Sequence, residues 1–274
     1  MIKTIHNAFD VAADLCLRFR FLRSSVRYIS NRFDGFQYSS YSLSDEAALA
    51  LSFIDNSRKG WIVDGGANKG NYTNALLNAK TSIYKILMIE PSPSLHDHLK
   101  SLSEAVLNIE FEAVAIGSSS GKLDLFFDKE GSSFASLYQR DIRHVGVEMN
   151  HSTEVTVMTL DDIAIKYDLS VIDYLKLDLE GHELEALKGA KSLFQQKKIR
   201  ALTFEFGGCN VDSRTFFKDF WQLLVYEYGF KMYRIAPGRK LISLRSYSES
   251  LERFSWQNIL ACAPGIKPQW KVIL

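Results

Sequence analysis

Directly after the apolar triplet Trp61-Ile62-Val63, the chain runs Asp64-Gly65-Gly66-Ala67-Asn68-Lys69-Gly70, an acid followed by glycines and small side chains. Glycines let a backbone turn tightly and approach a ligand with no Cβ in the way. A ligand at the carboxyl end of such a strand also meets the free N–H groups of the helix that follows. A dinucleotide loop needs G-x-G-x-x-G to leave room for a pyrophosphate. This run lacks that spacing and opens on an acid, which suits a zwitterionic amino-acid ligand better than a phosphate. The alternative is a left-handed turn that only packs a helix on a strand.

Three further stretches carry polar chemistry. Leu87-Met88-Ile89-Glu90-Pro91 ends in an acid twenty residues after Gly70, where a strand-end carboxylate can accept both hydroxyls of a ribose. Glu112-Ala113-Val114-Ala115 reads either as a flat apolar shelf for an adenine ring or as a plain buried strand. The run from Asp173 to Ala190 is the most distinctive. Lys176 and Asp178 share one strand face by period two, Glu180 follows in the turn, and Gly181 permits a close approach. Asp178, Glu180 and Glu183 repel one another unless a cation, a base role or open solvent relieves them. Glu183 also suits the first turn of a helix for its dipole alone. Glu205 ends another strand amid apolar neighbours, where an acid is costly unless paired or beside a cleft. His182 is the histidine near these strand ends. A divalent cation on oxygen ligands is compatible with this cluster, but nothing demands one.

Elements able to position these groups follow from periodicity. Strands are expected at 61–63, 85–90, 109–116, 171–178, 199–206, 230–235 and 256–261. Helices are expected at about 71–80, 93–103, 183–195 and 215–227. This alternation predicts parallel βαβ crossovers covered on both faces. Between Ser118 and Leu160 it breaks into a β-rich insertion: strands 123–127 and 155–159 flank a polar stretch expected to be mobile. Ahead of the sheet, helical spacing over 8–30 and a short helix over 44–54, opened by Ser44 as N-cap, define an N-terminal helical extension, residues 1–56. Residues 57–274 form the main domain.

An apolar fraction of 46% against 24% charged is that of a globular chain with a real core. A net charge of +1 gives no field that would favour nucleic acid, and none is expected as partner. Basic groups concentrate in residues 1–33, six against two acids. That segment is expected to cap the cleft or mediate a homo-oligomer, with a membrane-surface role as the weaker reading. Cys16, Cys209 and Cys262 form no metal or disulfide pattern, which points to a reducing compartment. Acids within the first apolar stretch spoil a signal peptide, so a cytoplasmic location is expected.

At these motifs the sequence resembles the FkbM family of S-adenosylmethionine-dependent methyltransferases. The resemblance rests on Val63 to Gly70, Ile89-Glu90-Pro91, Ala113 to Gly117, Thr159-Leu160-Asp161-Asp162 and, above all, Tyr174 to Glu183. It implies a Rossmann-like class I methyltransferase sheet of seven mostly parallel strands, the last antiparallel. It also implies methyl transfer to a hydroxyl of a sugar, glycan or other small natural product. By the same resemblance Asp64, Gly66, Asn68 and Gly70 meet the methionine end of the cofactor, with Gly65 and Ala67 in the same loop. Glu90 and neighbouring Pro91 meet the ribose, Ala113 and Val114 the adenine, and Asp178 borders the transfer site. A sugar hydroxyl is a poor nucleophile, so Asp178 or Glu180 is expected to take its proton, with Glu205 and His182 in support. Rival readings are an NAD-dependent oxidoreductase, disfavoured by the loop spacing, and a non-catalytic module that keeps the cofactor loop.

Overall fold

The computed structural model describes residues 13, 19–33, 35–36, 42–55, 57, 60–79 and 84–273. A nine-stranded sheet runs through the centre in the order β12-β10-β9-β11-β8-β7-β1-β2-β3. Its parallel heart comprises β1 (Trp61–Gly65), β2 (Lys85–Ile89), β3 (Ile109–Glu112), β7 (Ile172–Leu177) and β8 (Ala201–Phe206). Next comes β11 (Gln257–Cys262), antiparallel to both β8 and β9 (Lys231–Ala236). These are the seven expected strands. Two more, β10 (Lys240–Leu244) and β12 (Lys271–Ile273), extend the edge beyond β9. They are short, and β10 mixes buried and half-exposed residues, so neither shows a clean apolar run.

Period two sends alternate side chains to two cores. Val63, Leu87, Leu175 and Phe204 face α5 (Leu160–Lys166), α6 (Glu183–Lys188), α7 (Lys191–Gln195) and α8 (Phe217–Phe220), the last continuing as a π-helical segment Trp221–Glu227. Ile62, Ile86, Met88 and Tyr174 face α2 (Leu43–Leu51), α3 (Asn71–Ala79) and α4 (His96–Ala105). Ala47, Leu49 and Ala50 of α2 are wholly buried there, so this segment shares the core of the sheet domain. Its N-cap is Ser42 rather than Ser44: the Ser42 side chain accepts from the Asp45 N–H at 3.2 Å.

Two expected elements divide. The third strand stops at Glu112, whose carbonyl accepts from the Glu90 N–H at 3.1 Å. The chain then crosses to a separate three-stranded sheet of β4 (Ala115–Ile116), β6 (His151–Met158) and β5 (Gly121–Phe127). The helix expected over 183–195 breaks at Gly189, because Asp161 caps the second piece by accepting from the Ser192 and Leu193 N–H groups at 2.8 and 3.0 Å.

Among the N-terminal residues, α1 (Arg20–Phe33) is helical and turns Phe21, Val26, Tyr28 and Ile29 outward. Residues 8–12 and 14–18 of the expected helix lie outside the described residues. Beyond α1, Phe36 is sandwiched between the guanidinium groups of Arg234 and Arg253, at 4.0 and 4.1 Å from its ring centroid. No helix among the described residues is long and apolar enough to cross a membrane.

At the base of the sheet, Arg200 binds both the wholly buried Asp173 carboxylate and the Phe53 carbonyl, each at 2.8 Å. Arg200→Leu removes this contact from a buried carboxylate and should cost about 2 kcal/mol, read as a lower urea midpoint at unchanged slope.

Candidate active site

The register of the sheet assembles the polar cluster. Asp64 on β1 stands opposite Lys176 on β7, which stands opposite Thr203 on β8; Glu205 pairs with Asn258 on β11. All lie on the face that packs α2 and α3, near the carboxyl ends of the parallel strands. The Lys176 ammonium bonds Asp178 Oδ2 at 2.9 Å and stands 4.0 Å from Asp64 Oδ1, over the ring of Tyr72. Burial lowers its pKa, but Asp178, Asp64 and Glu46 together hold it above the usual lysine value.

The loop after β1 is built as its glycines suggest. Gly66 has φ +80°, and a Cβ there would collide with the Asp178 carbonyl, so only glycine lets the loop close on the end of β7. The Gly66 and Ala67 N–H groups donate to the Ile89 carbonyl, and the Gly70 N–H to that of Ala67. Asp64 is wholly buried. Its Oδ2 accepts from Thr73 Oγ1 at 2.8 Å, while its Oδ1 has no hydrogen-bond partner. Glu90 takes one backbone donor on each oxygen, Asn68 N–H on Oε2 and Ser92 N–H on Oε1, both at 2.9 Å. Each oxygen keeps a lone pair for a further donor.

Two cavities open at this crest and meet at Asp178. The first, of about 420 Å³, has Gly66, Glu90 and Pro91 on one side and Val114, Ala115 and Ile116 on another. Ala113, expected on the adenine shelf, is exposed and outside this wall; the chain turns between β3 and β4, so the shelf is displaced to 114–116. The second, of about 430 Å³, is bounded by Tyr72, Lys176, Glu205, Trp256, Asn258 and, from α2, Glu46.

The inserted segment expected to be mobile is strapped over the first cavity, which Ala135, Ser136 and Leu137 line. Ser136 exchanges both backbone hydrogen bonds with Phe126, and its hydroxyl donates to the Glu180 carbonyl at 2.9 Å. Asn68 Nδ2 donates to the Ser132 carbonyl at 3.1 Å, and Tyr138 Oη lies 3.1 Å from His182 Nδ1. Arg140 reaches both Glu180 and Asp212. Ser136, Tyr138, Arg140 and Glu46 are site residues that sequence reasoning missed. The first three sit in a polar stretch without periodicity, and the acid of Glu46 reads as a favourable first-turn charge.

The sequence candidates therefore separate. Asp178 borders both cavities, and Glu205 the second. His182 lines the first, and burial lowers its pKa to about 4, so it is neutral. The Glu180 carboxylate is bound by Arg140; burial and Asp178 still raise it to about 7. Glu183 is wholly buried, and its Oε1 accepts from the Leu179 and Gly181 N–H groups at 2.9 and 3.2 Å, a structural role in the turn. Glu205 is raised well above the carboxylate range by burial and by Asp178 and Glu180, and Trp256 bonds its side chain. No three His, Cys, Asp or Glu side chains among the described residues converge as a metal set, so the cation considered from sequence has no ligand cluster here.

The order β3-β2-β1-β7-β8-β11-β9, with β11 reversed and the site at the crest, defines a class I methyltransferase sheet. The chain belongs to the family of the methyltransferase FkbM domain, whose model matches residues 64–232. The methyltransferase sdnD of Sordaria araneosa is 32% identical over 155 residues, which span 47% of this chain and 60% of that protein. Among solved structures, the methyltransferase FkbM of Methylobacillus flagellatus KT aligns at 17% identity and TM-score 0.45, over 74% of this chain and 43% of that one. Aeropyrum pernix fibrillarin with bound S-adenosyl-L-methionine aligns at 12% identity and TM-score 0.38, over 81% and 76%.

Burial raises the Glu183 carboxyl from 4.5 to about 7, so the folded chain keeps a proton that the unfolded chain releases. Its contribution to stability is complete below pH 4.5 and is lost as pH rises through 7. Glu183→Gln keeps the Oε1 acceptor and cannot ionise. Its Tm should fall less between pH 5 and 8 than that of the wild type, by about 2–4 °C in ligand-free thermal scans. Glu46 and Glu180, raised in the same direction, leave part of the slope in place.

Proposed function

We propose that this methyltransferase uses S-adenosylmethionine and transfers its methyl group to a hydroxyl of a sugar, glycan or related natural product. The observation that carries this reading is the pair of cavities joined at Asp178. The first fits the cofactor. The open lone pairs of Glu90 suit ribose hydroxyls, and the apolar wall of Val114, Ile116 and Leu137 suits an adenine. Beneath the loop and outside that lining, Asp64 Oδ1 accepts no hydrogen bond and stands 4.0 Å from the Lys176 ammonium, so it suits an α-ammonium held at the loop. The surplus of carboxylates over Lys176 and Arg140 matches a ligand that carries a sulfonium and an ammonium.

When bound, S-adenosylmethionine supplies an activated methyl group on sulfur, so alignment and proton removal are what remain for the protein. Lys176 holds Asp178 at the border between the cavities, where its carboxylate accepts the acceptor hydroxyl's proton. Glu205, whose carboxyl burial holds well above its usual range, offers the acceptor a hydrogen-bonding partner and leaves the role of base to Asp178. Glu180 and His182 support the first cavity through Arg140 and Tyr138. The strap covers the first cavity and α2 walls the second, which limits the access of water to the reacting groups.

S-adenosylhomocysteine at about one hundred times its Kd should raise Tm by about 5–10 °C. Asp64→Asn keeps the Thr73 contact and should weaken this ligand by about tenfold or more in calorimetry. NAD giving the same protection would overturn the cofactor assignment. Asp178→Asn should bind S-adenosylhomocysteine as the wild type does, while losing about a hundredfold or more in methyl transfer to a methyl glycoside. Undiminished transfer would remove Asp178 from the role of base.

A further inference from the structure

The second cavity differs from the first in where its walls come from. The matched domain spans residues 64–232, yet Glu46, Ile235, Trp256 and Asn258 lie outside it, on α2, β9 and the approach to and start of β11. These flanking segments converge because α2 packs in the core beside α3 and because β11 inserts between β8 and β9. Their convergence walls off a space that the matched domain by itself leaves open.

The charge of that space is lopsided. Three carboxyl groups line it, Glu46, Asp178 and Glu205, against the single ammonium of Lys176. That ammonium is already engaged, 2.9 Å from Asp178 and 4.0 Å from Asp64. Among the described residues no other Lys or Arg lines the cavity. The rest of the wall is aromatic or uncharged: Tyr72, Tyr174, Thr203, Trp256 and Asn258.

We propose that this cavity is the acceptor subsite, and that Glu46, with Trp256, makes it select uncharged or cationic polyhydroxylated rings and reject anionic ones. The proposal rests on the cofactor reading above. Carboxylates accept hydrogen bonds from ring hydroxyls or an ammonium, and each can take two neighbouring donors. The Trp256 indole and the Tyr72 ring offer apolar surface to the C–H faces of a sugar. A uronate or phosphate would have to shed water beside like charges with no free cation to meet it. Glu46 is thus a specificity-determining residue supplied by the segment ahead of the matched domain. Its pKa, raised to about 7 chiefly by burial, accords with a position inside the chamber rather than on the surface.

The test uses the whole chain loaded with S-adenosylhomocysteine and a panel of methyl glycopyranosides: neutral (gluco, manno, rhamno), amino (glucosaminide) and acidic (glucuronide). Affinities are read by ligand-observed NMR titration. Neutral or amino glycosides should bind at least about tenfold more tightly than the glucuronide. Glu46→Gln should narrow that ratio by about threefold or more, and Trp256→Phe should weaken the neutral glycosides, while S-adenosylhomocysteine affinity stays within about twofold in both. The retained cofactor affinity reports that each variant is folded. Equal binding of the glucuronide, a ratio unmoved in Glu46→Gln, or no glycoside binding by a chain that does bind S-adenosylhomocysteine would overturn the proposal alone. Failure of the wild type to bind S-adenosylhomocysteine would overturn the cofactor reading and this proposal with it.

Discussion

The placement of one ammonium governs the site. Lys176 sits on β7 directly opposite Asp64 on β1 and two residues before Asp178, so its position is fixed by sheet register rather than by a loop. A lysine at that depth is tenable only beside anions, and the anions are tenable only beside the lysine. Glu46 joins this balance from α2, which couples a helix outside the matched domain to the centre of the sheet. With its charge engaged inside the cluster, Lys176 orients Asp178 and leaves the neighbouring cavity negative.

The same register explains why two cavities exist instead of one broad cleft. Asp64, Lys176, Thr203 and Glu205 project to one face of the sheet, towards α2 and α3, and the last three line the second cavity. The first lies over the crest, where β1 and β2 end and the chain leaves for the small sheet. Only Asp178, one residue past the end of β7, belongs to both. A methyl donor and an acceptor in adjoining chambers must meet at such a shared wall, which makes the strand end the natural position for a base.

The parts legible in the sequence are those set by local backbone rules. The loop after β1 needs glycine at Gly66, Glu90 closes β2, and Lys176 and Asp178 share a face; each is visible from spacing alone, and each lies where expected. What escaped depends on tertiary partners. Ala113 looks like strand because small apolar residues continue past Glu112, but the chain leaves for another sheet there. Asp161 splits a helix that periodicity reads as continuous, and the acid that does so is 31 residues away. The strap carries no pattern because side chains, not repeats, anchor it: Ser136, Tyr138 and Arg140 each bind a different element. Glu46 has an ordinary local reading as a first-turn acid, and only the packing of α2 turns it towards Lys176.

That division follows from what each half of the site has to recognise. A cofactor of fixed shape is met by backbone turns and strand ends, whose geometry any suitable sequence can supply, and these lie within the matched domain. An acceptor is distinguished by charge and hydroxyl pattern, which backbone atoms read poorly and side chains read well. Side chains for that purpose are best placed on elements that can change without disturbing the parallel strands. On the reading proposed above they stand on α2 before those strands and around β11 after them. The strap lines the first cavity and α2 the second, so on that reading substitution in the acceptor wall leaves the lining of the cofactor pocket unchanged. The tie between the two halves is again Lys176, whose ammonium is held by Asp178 and Asp64 directly and by Glu46 only as the weakest of the three charges.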